Sequence, residues 1–310
     1  MMIISCGETV IDMIPIQGAN GEQGFQPLVG GALFNTAIGL GRLGAEVAMI
    51  SGISNDLFGQ QLEQALAASH VQTNLLVRSD LPTTLAFVRL NNGHADYTFY
   101  DENTAGRNIQ LEDIQPLPEH ANCLYFGGIS LISEPCADTY CALAEREGAN
   151  RVIMLDPNIR PSFISDEGVY RHRLERMIAV ADIVKVSDED LDWLVPGHKA
   201  IADKITRLRK SPAQLFIVTR GADSCMAYGA QGLFVEQPVQ IAKVVDTVGA
   251  GDTFNSGLLA SLSQQGHLTK ASLPHIQHEQ ISTALAYGAK VAAVTVTRAG
   301  ANPPWVKDLS

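Results

Sequence analysis

The sequence lacks any run of the roughly 18 apolar residues that a membrane-crossing helix needs, so no bilayer-spanning helix is expected. It also lacks a basic cluster, and its formal net charge is -11, so nucleic acid and anionic membrane surfaces are unsuitable partners. A negatively charged small substrate stays open, because local arginines and backbone N–H groups can outweigh the global field. Cysteine is scarce. The five present (Cys6, Cys123, Cys136, Cys141 and Cys225) are scattered without metal-ligand spacing, and read as small apolar residues of a reducing compartment. No basic segment precedes the apolar Met1–Gly7 stretch, so no secretory signal is expected and the cytoplasm is the expected location. No convincing internal repeat appears. The glycine-rich fingerprint of a dinucleotide-binding fold does not follow the first strand, Met2–Cys6; Gly30-Gly31 comes only after a long insertion, which argues against a nicotinamide-dependent oxidoreductase.

What is present is ordinary for a folded protein: 46% hydrophobic and 18% charged residues over 310 positions, enough for one large α/β domain. The chain alternates strand-like and helix-like segments. Strands are expected at Ala45–Ser51, Asn74–Val77, Cys123–Phe126, Arg151–Leu155, Ile183–Val186 and Leu215–Thr219. Helices are expected from Leu33, at 60–69, 137–147, 167–181 and 253–263, and within 275–294. Small residues recur along the helix after Gly31, which predicts close packing. Residues 8–28 read as loop-like. The stretches 84–90 and 96–100 read as a hairpin around Asn91-Asn92-Gly93. The 8–28 segment and the 72–104 hairpin are expected to form one small sheet standing off the main domain, able to cover a ligand. A second hairpin is expected at 225–228 and 232–235.

One segment dominates the candidate chemistry: Asp246-Thr247-Val248-Gly249-Ala250-Gly251-Asp252-Thr253. Small residues let the backbone turn tightly and leave its N–H groups uncovered. A helix starting at about Gly251 would aim its own unpaired N–H groups the same way, giving an anion site suited to a phosphate. Asp252 in the first turn is either a proton acceptor or a capping aspartate. Polar residues gather after successive strands, at Gly127-Gly128, Asp156–Pro161, Ser187–Asp190 and Arg220-Gly221, where open α/β sheets bind ligands. Asp12, a lone charge among apolar neighbours, suits a polyol hydroxyl pair or else faces water. Asn35 sits where a side chain can face a crevice. Phe99 and Tyr100 either face a ligand or pack within the small sheet.

Taken together, Gly30-Gly31-Ala32-Leu33-Phe34-Asn35 with its glycine-spaced helix and Asp246–Phe254 resemble the ribokinase-like (PfkB) carbohydrate kinases over essentially the whole chain. The Asp156-Pro157-Asn158-Ile159-Arg160 stretch is most similar to the fructokinase and 2-keto-3-deoxygluconate kinase side of that family. The resemblance implies a three-layer α/β fold with a small β lid. It implies transfer of the γ-phosphoryl of ATP to a primary hydroxyl of a monosaccharide, fructose first, with a 2-keto-3-deoxy sugar acid next and ribose or a nucleoside as further alternatives, and with Mg2+ and in some members K+. Asp252 matches the catalytic base, and Gly249, Ala250 and Gly251 the anion hole. Asp12, Gly30, Gly31, Asn35, Phe99 and Arg160 match substrate positions. Lys185, Ser187, Thr219 and Gly221 match nucleotide positions. Asp190 would touch magnesium indirectly, and Asp246 and Thr247 a monovalent cation. The chain departs from the family's Lys-x-Asn-x-x-Glu at Lys185–Asp190, where Ser187 and Asp190 replace asparagine and glutamate. It also departs at Cys225, which stands in place of a glycine. Homodimerisation through the small sheet is expected, with Leu85, Phe87 and Tyr97 on its apolar face. With Arg160, Arg89 is a candidate for an acidic acceptor's carboxylate. A non-catalytic sugar-binding protein is the alternative of another class.

Overall fold

The computed structural model describes every residue except 19, 92, 93, 198, 199, 212, 213, 230, 231, 240–242 and 310, and the side chains of 90, 91 and 94–96 are likewise not described. Apolar runs build a central sheet. Its strands are β1 (Met2–Cys6), β4 (Val47–Ile50), β9 (Ala121–Gly127), β10 (Val152–Asp156), β11 (Ile183–Ser187), β12 (Leu215–Arg220), β13 (Ser224–Gly229) and β14 (Gly232–Pro238). Their spatial order is β14-β13-β12-β11-β10-β9-β1-β4. From β12 to β4 every pair is parallel; β13 and β14 close one edge as the antiparallel hairpin expected from sequence, its turn residues 230 and 231 lying outside the described residues.

Strands buried on both faces need apolar residues at consecutive positions. Ile3 enters one core and Ile4 the other, and Cys123 and Leu124 divide in the same way. The first core is completed by α1 (Ala32–Arg42), α7 (Ala250–Gln264) and α8 (His278–Thr295). The second is completed by α3 (Cys136–Glu147), α4 (Glu167–Val180), α5 (Asp188–Leu194) and α6 (Ile201–Leu208). The result is the three-layer arrangement expected.

The glycine-spaced helix packs as closely as its sequence predicts. A Cβ at Gly39 would overlap Ser256 Oγ of α7, and one at Gly41 would overlap the Ser69 carbonyl that follows α2 (Leu57–Ala68).

A second sheet has the order β3-β2-β7-β8, built from β2 (Val10–Gln17), β3 (Gln23–Gly30), β7 (Leu85–Asn91) and β8 (His94–Tyr100). The 8–28 segment is therefore mostly two strands, not loop. Its prolines hid that pattern and are accommodated: Pro27 is on the edge strand, and Pro15 lies past the Ile11–Met13 stretch where β2 pairs β7. The Asn92-Gly93 hairpin tip lies outside the described residues.

The strand expected at Asn74–Val77 is corrected too. Asn74 and Leu75 form a turn, and the strand β6 is Val77–Ser79, paired with β5 (Gly52–Ser54). Leu75 and Leu76 are buried because that turn packs down, not because it is extended.

Candidate active site

Connections change direction at β1, which has β4 on one side and β9 on the other. A crevice opens beyond the carboxyl ends of strands at such a switch point. Two adjoining cavities lie there. The first, of about 320 Å3, is lined by Asp12, Gly31, Asn35, Phe99 and Asp252 among others. The second is lined by Lys185, Ser187, Asp190, Thr219 and Gly221. Asn158, Arg160, Ala250 and Gly251 belong to both and mark the boundary. Residues far apart in sequence thus divide into one compartment of candidate sugar positions and one of candidate nucleotide positions.

The boundary is the start of α7. The helix begins at Ala250, one residue earlier than the sequence suggests, with Gly249 as its N-cap in the left-handed region (φ 77°). A Cβ there would also lie 2.6 Å from Ala301 Cβ, so both conformation and space call for glycine. The Ala250 amide is engaged by the Thr247 carbonyl at 3.2 Å, whereas those of Gly249, Gly251 and Asp252 have no acceptor among the described residues. Unpaired donors at a helix N-terminus, where the dipole is positive, make an anion cradle. Lys185 reinforces it: its ammonium would lie 3.7 Å from a Cβ at Gly251.

Asp252 Oδ2 accepts a hydrogen bond from Asn35 Nδ2 at 2.9 Å. Burial pushes this carboxyl up to about 7; the Asn35 bond opposes the shift, and the charges of Asp156 and Glu8 add to it. A carboxylate with that proton affinity can accept a proton near neutral pH. Asp12 is raised to about 6 by burial, and its side chain has no hydrogen-bond partner among the described residues. A Cβ at Gly30 would overlap the Asp12 carboxylate, so Gly30 gives it room while not lining the cavity itself.

Beneath the cradle, Lys185 Nζ bonds Asp156 Oδ2 at 2.9 Å, and Asn255 Nδ2 donates to the same oxygen at 2.7 Å. Burial alone would lower the lysine pKa, but the Asp156 charge and hydrogen bond override it and raise the value.

Ser187 and Asp190 prove to be a helix start. Ser187 Oγ accepts the Asp190 amide at 2.9 Å and Asp190 Oδ2 the Ser187 amide at 3.2 Å, a reciprocal capping box for α5. Asp190 Oδ1 accepts the Ile159 amide at 2.9 Å. Both carboxylate oxygens are thus committed to backbone. Among the described residues no group of three or more His, Cys, Asp or Glu could hold a metal ion. The described residues therefore present no cluster of three such side chains for direct magnesium ligation.

Asp246 lines neither cavity. Its oxygens accept the amides of Val248 at 3.0 Å and Gly300 at 2.8 Å, tying two loops together, while Thr247 lines the first cavity. Arg160 Nη1 bonds the carbonyls of Asn158 and Ile159, and the guanidinium sits between the cavities.

Strand alternation corrects the placements of Tyr97 and Arg89 and decides between the two readings of Tyr100. Phe99 lines the first cavity together with Tyr97, so Tyr97 does not share a face with Leu85 and Phe87. Arg89 lies on the Leu85 and Phe87 side, away from the cavity. Tyr100 shares that outer side too and packs edge-on against Phe87, with ring centroids 5.4 Å apart.

Sequence reasoning missed Glu8, Asn158 and Phe163. Glu8 Oε1 accepts the Ala32 amide at 3.0 Å and Oε2 the Ser130 amide at 3.3 Å, so one carboxylate, itself just after β1, holds the turn between β3 and α1 and the turn after β9. A Cβ at Gly128 would overlap that carboxylate, which accounts for the glycine. The available signal was a carboxylate directly following an apolar strand and a glycine.

The model of the pfkB family carbohydrate kinases matches residues 1–308. The chain is 47% identical over 282 residues to the fructokinase of Rhizobium leguminosarum bv. trifolii, covering 90% of this chain and 85% of that protein. Its fold superposes with a TM-score of 0.90 on the fructokinase with bound ATP from Xylella fastidiosa, at 29% identity, covering 99% of this chain and 96% of the other. With the Vibrio cholerae O395 fructokinase double mutant in its fructose, ADP and potassium ion bound form, the TM-score is 0.84 at 25% identity, covering 99% and 96%. A cradle of unpaired amides between two cavities, a carboxyl beside it that burial pushes up to about 7, and a family match across the whole chain agree: this protein belongs to the pfkB family of carbohydrate kinases.

Proposed function

We propose that this chain is an ATP-dependent fructokinase, transferring the γ-phosphoryl of ATP to a primary hydroxyl of fructose, O6 by preference. The observation that carries the reading is the placement of Asp252. Its carboxylate lines the sugar-side cavity, one residue from the Gly251 position that borders both compartments. The likeness to the Rhizobium fructokinase supports the choice of sugar.

Phosphoryl transfer is mostly positioning plus electrostatic stabilisation. Asp12 and Asn35 bind sugar hydroxyls and fix the acceptor. Asp252 takes the hydroxyl proton as the new O–P bond forms and the bond from the γ-phosphorus to the bridging oxygen breaks, releasing ADP. The amides of Gly249, Gly251 and Asp252, with Lys185 and Arg160, neutralise charge on the moving group. Thr219 and Gly221 border the nucleotide. Magnesium carried with the nucleotide would add charge neutralisation at the phosphates, and Asp190, whose oxygens each accept a backbone amide, would meet it through water rather than directly. A monovalent cation near Thr247 belongs to this reading, supported by the potassium ion bound form of the Vibrio relative. Closure of the small sheet would keep water from the phosphoryl group. Its outer face, with Phe25 and Tyr100 exposed, is the surface proposed for a homodimer.

The test is ADP formation with magnesium and potassium over fructose, 2-keto-3-deoxygluconate, ribose, tagatose 6-phosphate and adenosine. Fructose is expected to give the highest kcat/KM. Absence of fructose-dependent ADP release overturns the reading.

A further inference from the structure

Below the site lies a buried carboxylate that borders neither cavity: Asp156, 2% exposed, at the carboxyl end of β10. The parallel register sets Leu155 opposite Val184, so the next residues, Asp156 and Lys185, stand side by side. Met154 and Ile183, two positions earlier, belong to the core that α7 completes, so alternation turns Asp156 and Lys185 to the same face. An apolar face thus ends in a charged pair beneath the anion cradle.

The two oxygens of Asp156 lead to different cations. Oδ2 accepts Lys185 Nζ at 2.9 Å, and Lys185 borders the nucleotide cavity. Oδ1 accepts the Asn158 amide at 3.2 Å, a local turn of the kind aspartate favours. The chain reverses there: Asn158 has φ 45°, a left-handed conformation that few residues other than glycine adopt and that asparagine tolerates well. The carbonyls presented by this turn, those of Asn158 and Ile159, accept Arg160 Nη1 at 3.2 and 3.0 Å. Asn255 of α7 locks the carboxylate from above. It is fully buried, and its Nδ2 donates to Asp156 Oδ2 at 2.7 Å and to the Tyr125 hydroxyl at 2.9 Å. Asn255 Oδ1 has no partner among the described residues. The reverse amide orientation would set that oxygen against the carboxylate, so an unpaired acceptor is the smaller penalty.

We propose that Asp156 is the positioning residue for both cations of phosphoryl transfer: one oxygen sets the Lys185 ammonium under the cradle, the other fixes the Asn158 turn that holds the Arg160 guanidinium between the cavities, and Asn255 keeps the carboxylate in place. Asp156 touches neither substrate and acts only through Lys185 and Arg160. Cations held ready in this way need no rearrangement as charge shifts on the moving group. Asparagine at 156 cannot do both tasks. Its single oxygen can serve the Asn158 amide or the Lys185 and Asn255 donors, and its NH2 then faces a donor on the other side. The proposal rests on the kinase reading of the two cavities.

The experiment measures kcat and both KM values for wild type, Asp156→Asn, Lys185→Met, Arg160→Met, and the two double variants that combine Asp156→Asn with each cation change. Asp156→Asn should lower kcat by about 10²-fold with the fructose KM within about threefold of wild type. Each double variant should lie within about threefold of Asp156→Asn alone, because a cation already out of place has little left to lose. An unchanged kcat, or losses that multiply in either pair, overturns the inference. Calorimetry without sugar measures ATP and ADP affinity with magnesium in parallel. Asp156→Asn should weaken ATP at least about fivefold more than ADP, since the displaced charges face the γ-phosphate. Equal weakening overturns the inference, because a purely structural carboxylate would lower the melting temperature and leave that ratio unmoved. If Asp156→Asn does not fold, Asn255→Leu, which frees the carboxylate but keeps the ion pair, reads the same direction with a smaller change. Wild type without fructose-dependent ADP release would sink the sugar reading, and the ATP-to-ADP ratio would still decide for or against Asp156.

Discussion

Asn35 Nδ2 stands 2.9 Å from Asp252 Oδ2, joining two residues 217 positions apart. The contact exists because α1 and α7 pack at small residues, with Thr36 Oγ1 also bonding the Asp252 carbonyl at 3.1 Å. The Asn35 bond favours the ionised form of Asp252, opposing the burial that raises it. Removing the donor should push the base further up. Asn35→Ala is expected to move the acidic limb of kcat to higher pH, so that turnover lost at pH 7 is largely recovered by about pH 8.5. A pH–rate profile checks it; a limb that stays in place refutes it.

Asp252→Asn removes the proton acceptor and keeps the shape. Turnover should fall by roughly 10²–10⁴-fold while the fructose KM changes little. Steady-state ADP release decides, and unchanged turnover would remove Asp252 from the chemistry.

The same variant should be more stable than wild type. The folded carboxyl, raised to about 7, binds its proton more tightly than the unfolded one, for which about 3.8 is ordinary. Its contribution is therefore fully present below the unfolded value and lost as pH rises through about 7. Asp12, raised to about 6, acts with the same sign. At pH 8 Asp252→Asn should melt higher than wild type, with the difference vanishing near pH 4. Equal melting temperatures at pH 8 would contradict the burial argument.

Glu8→Gln tests the two turns held by one carboxylate. Glutamine offers one acceptor where the Ala32 and Ser130 amides need two. The expected loss is about 1–3 kcal/mol of stability. The KM for fructose should rise more than that for ATP, because Glu8 lines only the sugar cavity. Equal effects on both substrates would make Glu8 purely structural.

Lys185→Met leaves Asp156 buried with its charge uncompensated by lysine, at a cost of about 3–5 kcal/mol. Replacing both partners, as Lys185→Met with Asp156→Leu, should be less destabilising than the single change. Denaturant unfolding of the three proteins checks the order.

The strands of the central sheet, the close helix after Gly31 and the unpaired amides at Gly249–Asp252 are legible in the amino-acid sequence. Each is local: buried parallel strands need consecutive apolar residues, and a helix start with unpaired amides is written in a few adjacent small residues. The sequence also places Ser187 and Asp190 at a strand end, but their use as a capping box depends on where α5 begins, and that end is closed by the long-range bond from Ile159. That Glu8 anchors two turns, that Tyr97 faces the cavity while Arg89 faces away, and that Phe163 meets Phe99 emerges from the fold. These depend on strand register and on loops brought together from distant parts of the chain. A one-residue change of register reverses a side chain's face, and no local pattern in this segment fixes it.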